Sequence, residues 1–219
     1  SQTVQRLSKI LMAQIENSNI KFNDVKSVGI GVPGPVLNNR IVKFWANFPW
    51  ENGVDLALEF EKNLGIPVKA DNDVNVITLG EMWQGAGQGY KNVLGLAIGT
   101  GIGGGIIVDG KLVSGLNGAG GEVGHIKIEH DGKLCGCGQK GCWEAYASAT
   151  GIIREAQSRL LINKRNLLYE MTKGRDLEAK DVFDAAKKGD KFALDIVNYE
   201  AEKLALGIGN LLNILDPEI

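Results

Sequence analysis

The chain has 219 residues, 44% of them hydrophobic and 23% charged, with only five prolines; this composition excludes a disordered chain and is long enough to bury a substantial core in one large domain or two small lobes. A formal net charge of −2 offers no general field for nucleic acid or an anionic membrane. No apolar run approaches the ~20 residues of a membrane span, and the opening "SQTVQRLSKILMAQIENSN" has too many polar interruptions for a signal peptide, so a cytoplasmic protein is expected.

The apolar spacing over 2–17 predicts a helix, followed by a strand in "VKSVGIGVPG" and an extended hairpin through "VLNNRIVKFWAN". A second helix is predicted over "DLALEFEKNLG", then a short strand at Ile66–Ala70 that leads into a helix beginning near Val74. Asp71-x-Asp73-x-Asn75 imitates the opening of a calcium loop, but Val76 stands where the turn glycine belongs and Met82 where the bidentate Glu belongs, which excludes calcium there. Junctions of this kind, beyond the carboxyl end of a strand, are where open α/β sheets bind ligands. Asp73 therefore has two readings, a helix cap worth ~1 kcal/mol or a group that does chemistry.

The densest glycine run, "VLGLAIGTGIGGGIIVDGKLVSG", contains Gly99, Gly101 and Gly104 in the order of a dinucleotide-binding fingerprint, but no helix follows. A near match to a Walker A loop at Gly105–Lys111 fails because Leu112 replaces the hydroxyl residue. Instead "GGIIVDGKLV" reads as a hairpin turned at Asp109–Gly110. That leaves a glycine-rich turn with Thr100 inside it, between two strands. Its backbone N–H groups could cradle a phosphate, or its glycines could serve sheet packing alone.

Both histidines and all three cysteines lie between Gly124 and Ser148. The order His125, Cys135, Cys137, Cys142 supplies four nitrogen and sulfur donors of the kind zinc prefers, with Gly136, Gly138 and Gly141 between the cysteines for a tight wrap. The alternative is a set of buried free thiols, which seldom cluster in this way. Four protein donors leave no open position, so such a zinc is structural. His130 is the poorer ligand, because an apparent strand at Gly124–Glu129 turns it to the other face. Glu122 and Glu144 flank the ligands; they are either surface carboxylates in ion pairs or acids gathered near the same place by the wrap. Beyond the cysteines the chain reads as helical, over "CWEAYASATGIIREAQSRL", "LEAKDVFDAAKKGD" and "FALDIVNYEAEKLALGIGNLLNIL". Early alternation of strands and helices followed by helices alone predicts a mixed sheet with helices packed on it.

"GVPGPV" at 31–36, "ANFPW" at 46–50, "DNDVN" at 71–75, "GTGIGGGI" at 99–106, "GGEVGH" at 120–125 and "CGCGQKGCWE" at 135–144 stand in the order and spacing of the ROK family, named for repressor, open reading frame, kinase. The resemblance covers nearly the whole chain. It implies an α/β, actin-like (ribonuclease-H-like) sugar kinase fold of two lobes that close on a sugar and ATP, with a structural zinc. The boundaries expected are 1–72 for an incomplete N-terminal lobe and 73–219 for the larger, zinc-containing one. By the same resemblance Asp73 is the catalytic base toward the sugar 6-hydroxyl and Asn72 a sugar ligand beside it. Glu122, Glu144 and the zinc ligand His125 hold ring hydroxyls, with Asn47 and Gly34 contributing from the other lobe. The turn with Gly99, Thr100, Gly101, Gly103 and Gly104 binds the phosphates of Mg-ATP. A hexose, with glucose first, is the implied substrate, and a homo-oligomer the implied assembly.

Family kinases open on a D-x-G-G-T turn and end with a glycine-rich adenosine loop, neither of which this sequence shows, so a piece cut at both ends is expected. A sugar-responsive repressor, with a DNA-reading domain ahead of the same lobes, is the alternative within the family. A zinc-stabilised binding module is the alternative outside it.

Overall fold

A computed structural model describes residues 2–45 and 50–219. The contacts divide it into two compact units: residues 1–95 with 105–121 and 219, and residues 96–104 with 122–218. The boundary expected at 72/73 falls inside the first unit, because the strand ending at Asn72 and the helix starting at Asp73 pack as one piece.

In the first unit, helix α1 (Gln2–Glu16) precedes β1 (Val28–Val32), then the short strands β2 (Val36–Leu37), β3 (Ile41–Val42) and β4 (Val54–Asp55). β2, β3 and β4 form an antiparallel sheet, and the β2–β3 hairpin is turned by Asn38 and Asn39, both at positive φ, near 54° and 55°. Asn is among the few side-chain residues that adopt this conformation readily. Helix α2 (Leu56–Leu64) starts at Asp55, whose side chain accepts from Leu58 N–H, and stops at Gly65 in the left-handed region. Strand β5 (Val68–Asn72) runs parallel to β1 in the register Gly31 to Asp71, and α3 (Asp73–Gln84) follows it without a loop. Val32, Val36, Val42, Leu56, Phe60, Leu64 and Val68 form the core here.

Strands β6 (Val93–Ile98), β7 (Ile102–Val108) and β8 (Lys111–Leu112) make a third sheet. The β7–β8 turn falls at Asp109–Gly110 as expected, both at positive φ. Thr78 of α3 explains two of the glycines: a Cβ at Gly95 or Gly105 would lie 2.2 or 2.1 Å from its Oγ1, so these two allow the helix close to the strands.

The second unit departs from expectation at three places. Residues 124–129 form no named strand; a short 3₁₀ turn spans Val123–His125 and a single bridge joins Lys127 to Cys142. The backbone there wraps the cysteines and satisfies itself in single bonds, such as Ile128 N–H to Gly141 O at 3.0 Å and Trp143 N–H to Ile126 O at 2.9 Å. The helix expected from Cys142 is broken at Ser148 into α4 (Glu144–Ala147) and α5 (Ala149–Ile162), because Ser148 accepts from Gly151 N–H and caps the second segment. A short helix α6 (Leu167–Thr172), capped by Asn166, adds to the α7 (Ala179–Lys187) and α8 (Lys191–Leu215) that the periodicity predicts. α5 to α8 enclose Ile152, Ala156, Leu168, Val182 and Ile196. Among the described residues no helix is long and apolar enough to cross a membrane.

Candidate active site and metal centre

In the first unit the strand-to-helix junction after β5 holds the candidates. Asn72 is the cap of α3, its Oδ1 accepting from Val74 N–H at 2.9 Å and Asn75 N–H at 3.2 Å, while its Nδ2 donates to Gly34 O at 3.4 Å. The capping duty that the sequence left open for Asp73 thus belongs to its neighbour. Asp73 is exposed at the first helical position, and its Oδ1 accepts from the next amide, Val74 N–H, at 3.0 Å. An anionic side chain at a helix N-terminus is favoured by the orphan amides there. Gly34 sits at φ 106°, a conformation glycine adopts without strain. Asn47 lies outside the described residues.

In the second unit the glycine turn is tight, Gly99 N–H donating to Gly101 O at 3.0 Å, and only Gly99, Thr100 and Gly101 lie in it. Gly103 and Gly104 belong to β7, where Gly104 is buried. A Cβ at Gly99 would meet nothing within 4 Å, so packing does not explain that glycine, whereas one at Gly101 would lie 2.5 Å from Glu144 Oε2. The Glu144 carboxylate therefore lies against the turn, and it accepts from Ile102 N–H at 3.4 Å.

The other oxygen of Glu144 is 3.0 Å from Cys135 Sγ and 3.7 Å from His125 Nδ1. His125, Cys135, Cys137 and Cys142 bring one donor atom each within 4.8 Å of one another. Cys137 and Cys142 Sγ are 3.7 Å apart, as are Cys135 Sγ and His125 Nδ1. Ligands about 2.0–2.3 Å from a tetrahedral zinc stand about 3.5–3.8 Å from one another, so these two pairs already have the ion's spacing, and the set of one imidazole and three thiols fits it in chemistry. Burial pushes the Cys135 thiol up, a cost that a divalent cation removes by taking the thiolate. His130, with a side chain 97% exposed beside Asp131, takes no part. Glu122 is half-buried just ahead of the 3₁₀ turn, and its carbonyl accepts from His125 N–H at 3.1 Å. Gly124 is required by a close approach, since a Cβ there would lie 2.1 Å from Ile102 O.

Several supporting residues carry no signal in the sequence. Lys127 Nζ donates to Cys142 Sγ at 3.1 Å. Behind the cysteine loop, Lys133 donates to Glu155 Oε2 at 2.6 Å and stands over the rings of Tyr146 and Tyr199. Lys203 pairs with Glu129 at 2.5 Å over the same two rings. The hydrogen bond to Lys203 holds Glu129 below the usual carboxylate range, and burial pushes Tyr199 up to about 12. Trp143 is fully buried, and its Nε1–H donates to Lys203 O at 2.9 Å. These contacts tie the segment that carries the candidate metal donors to α5 and α8, so His125, the three cysteines and Glu144 are held from behind.

Known proteins share this architecture. A glucokinase from Thermotoga maritima is 42% identical over 194 residues, which is 88% of this chain and 61% of that protein, so the chain spans about three fifths of its relative's length. The crystal structure of a ROK family glucokinase from Streptomyces griseus, in complex with glucose and AMPPNP, superposes with a TM-score of 0.79 at 36% identity, over 96% of this chain and 68% of that one. A ROK family transcriptional regulator, homolog of the E. coli MLC protein, superposes with a TM-score of 0.85 at 29% identity, over 99% and 54%. The fold is the actin-like one of these sugar kinases. A family model described as ROK family matches residues 1–219, the whole of the chain, which therefore belongs to that family.

Proposed function

We propose that this protein is an ATP-dependent sugar kinase that transfers the γ-phosphoryl group of Mg-ATP to the 6-hydroxyl of a hexose, with glucose the first candidate. The observation that carries the reading is the state of Asp73: it stands at the head of α3, exposed, and it is relieved of capping by Asn72. Its carboxylate accepts the proton of the attacking hydroxyl, and Asn72 and Gly34 orient the sugar beside it. Phosphoryl transfer is largely a matter of positioning and charge stabilisation, so a fixed base at a strand end suits the task.

Glu122, Glu144 and His125 hold the ring hydroxyls. With Nδ1 of His125 turned to the thiols, Nε2–H remains as a donor. The exposed turn of Gly99, Thr100 and Gly101 offers its N–H groups and a hydroxyl to the phosphates of ATP. A zinc ion held by His125, Cys135, Cys137 and Cys142 supplies rigidity, with no place in the chemistry. Three thiolate ligands within eight residues suit a reducing compartment, in keeping with the cytoplasm. A homo-oligomer belongs to the same reading and is carried over from the family resemblance of the sequence.

A sugar-sensing part of a repressor is the second reading, favoured by the regulator that this chain superposes on over 99% of its length. Calorimetry with glucose separates the roles. Asp73→Asn should keep sugar affinity within about threefold, while Glu122→Gln and Glu144→Gln each weaken it tenfold or more, a loss of the size expected for a hydrogen bond to a charged group. Unchanged affinity in both glutamine variants would remove these two acids from the sugar site.

A further inference from the structure

Asp71 is 9% exposed and carries a carboxylate whose hydrogen-bond partners in the structure are all neutral. Its Oδ1 accepts from Asn72 N–H at 2.7 Å and from Asn75 Nδ2 at 2.9 Å, and its Oδ2 accepts from Asn39 Nδ2 at 2.6 Å. The first two bonds fall on either side of Asp73 in the chain. The third reaches the β2–β3 turn, which is bound a second time by Ala70 N–H to Asn39 O at 2.8 Å. On the far side Gly31, the register partner of Asp71, backs Asp73, and a Cβ there would lie 3.4 Å from Asp73 Cα.

This set is a poor design for stability alone. Asn75 is 2% exposed and its Oδ1 has no hydrogen-bond partner, and a buried orphan acceptor costs free energy that an apolar side chain would not. What the set does accomplish is geometric. A single carboxylate fixes the peptide entering Asp73, the first turn leaving it, and the hairpin beside it. We infer that Asp71 is a positioning residue for phosphoryl transfer, holding the Asp73 carboxylate through Asn72 and Asn75 and clamped in turn by Asn39. The inference rests on the reading of Asp73 as the base.

The test is steady-state kinetics of the full-length protein with Mg-ATP and its best hexose, in four forms: parent, Asp73→Asn, Asp71→Asn, and the exchange Asn39→Asp with Asp71→Asn. In Asp71→Asn an amide donor faces Asn39 Nδ2 or Asn75 Nδ2, and one pair becomes repulsive. The exchange restores an acceptor opposite a donor at all three contacts, and Asp is tolerated at the positive φ of position 39. A positioning role predicts that kcat of Asp71→Asn falls about ten- to a hundredfold with the sugar KM within about threefold, since misplacement by an ångström is worth that much. The exchange should recover kcat to within about threefold of the parent.

A role in folding alone would lower kcat only in proportion to the folded fraction seen in a thermal melt. If Asp71→Asn does not fold, the exchange form decides, and a folded exchange that remains more than tenfold slow overturns the inference. So does an Asp71→Asn kcat within twofold of the parent while Asp73→Asn is inactive. A parent without turnover, or an active Asp73→Asn, overturns the reading of Asp73 and this inference with it.

Discussion

Gly207 lies in the middle of α8, where an alanine would ordinarily favour the helix by about 1 kcal/mol. The structure predicts the opposite. A Cβ on Gly207 would stand 2.0 Å from Cε2 and 2.4 Å from Cδ2 and Nε1 of Trp143, against the roughly 3.5–4.0 Å of a carbon–carbon contact. The indole is fully buried and bonded through Nε1 to Lys203 O, so it cannot swing aside as a flexible chain would. Overpacking of this kind costs about 1–3 kcal/mol, and an indole N–H torn from its acceptor adds about 1–3. After the gain in helix propensity, a net loss of about 1–5 kcal/mol is expected, equivalent to roughly 2–20 °C in Tm for a chain of this size. Because Trp143 sits between the donor Cys142 and Glu144, metal content should fall as well. Gly209→Ala is the control: a Cβ there meets nothing within 4 Å, so its Tm should hold or rise. The assay is thermal unfolding with metal analysis, and a Gly207→Ala variant as stable as Gly209→Ala would refute the packing argument.

Cys137→Ser removes the one exposed donor of the cluster and should yield protein with less zinc per chain and a lower Tm; undiminished zinc by emission spectroscopy would sink the ligand assignment. Glu200 bears on pH dependence. Burial raises it from 4.5 to about 7, and its Oε2 has no partner. The folded state then holds a proton that the unfolded state releases, so stability falls as pH rises between about 4.5 and 7. The full linkage is about 3 kcal/mol, and halving it for the solvent access this group retains leaves about 1.5. Glu200→Gln should remove that slope, and denaturant titrations at pH 5 and 7.5 that show parent and variant changing alike would contradict it.

The features legible in the sequence are those whose partners are close along the chain. The four candidate metal donors fall within 18 positions of one another, from His125 to Cys142; glycine spacing, thiol chemistry and a histidine single them out together, and the structure gathers their donor atoms within 4.8 Å. The turn at Asp109–Gly110 and the start of α3 are equally open, because φ preference and capping act over three or four residues, although the cap itself falls on Asn72 and not Asp73 and the turn of the first hairpin at Asn38–Asn39 is not singled out. What stayed hidden depends on distant partners. The break at Ser148 is a cap inside a stretch of good helical periodicity, and residues 124–129 alternate like a strand but are drawn around the cysteines. The pairing of Lys203 with Glu129 spans 74 positions, and no periodicity announces it. Asp71 and Asn75 are visible as a spacing of four, but a spacing alone does not reveal that Asn39 completes the set.

The most direct measurement is ADP release by the full-length protein with Mg-ATP and a panel of hexoses and N-acetylhexosamines, with Asp73→Asn as the control. The account predicts turnover that requires a hexose, is greatest with glucose, and is lost in the variant although sugar still binds. Turnover absent with every sugar, in protein that retains zinc and binds glucose, would contradict it and favour the sugar-sensing repressor.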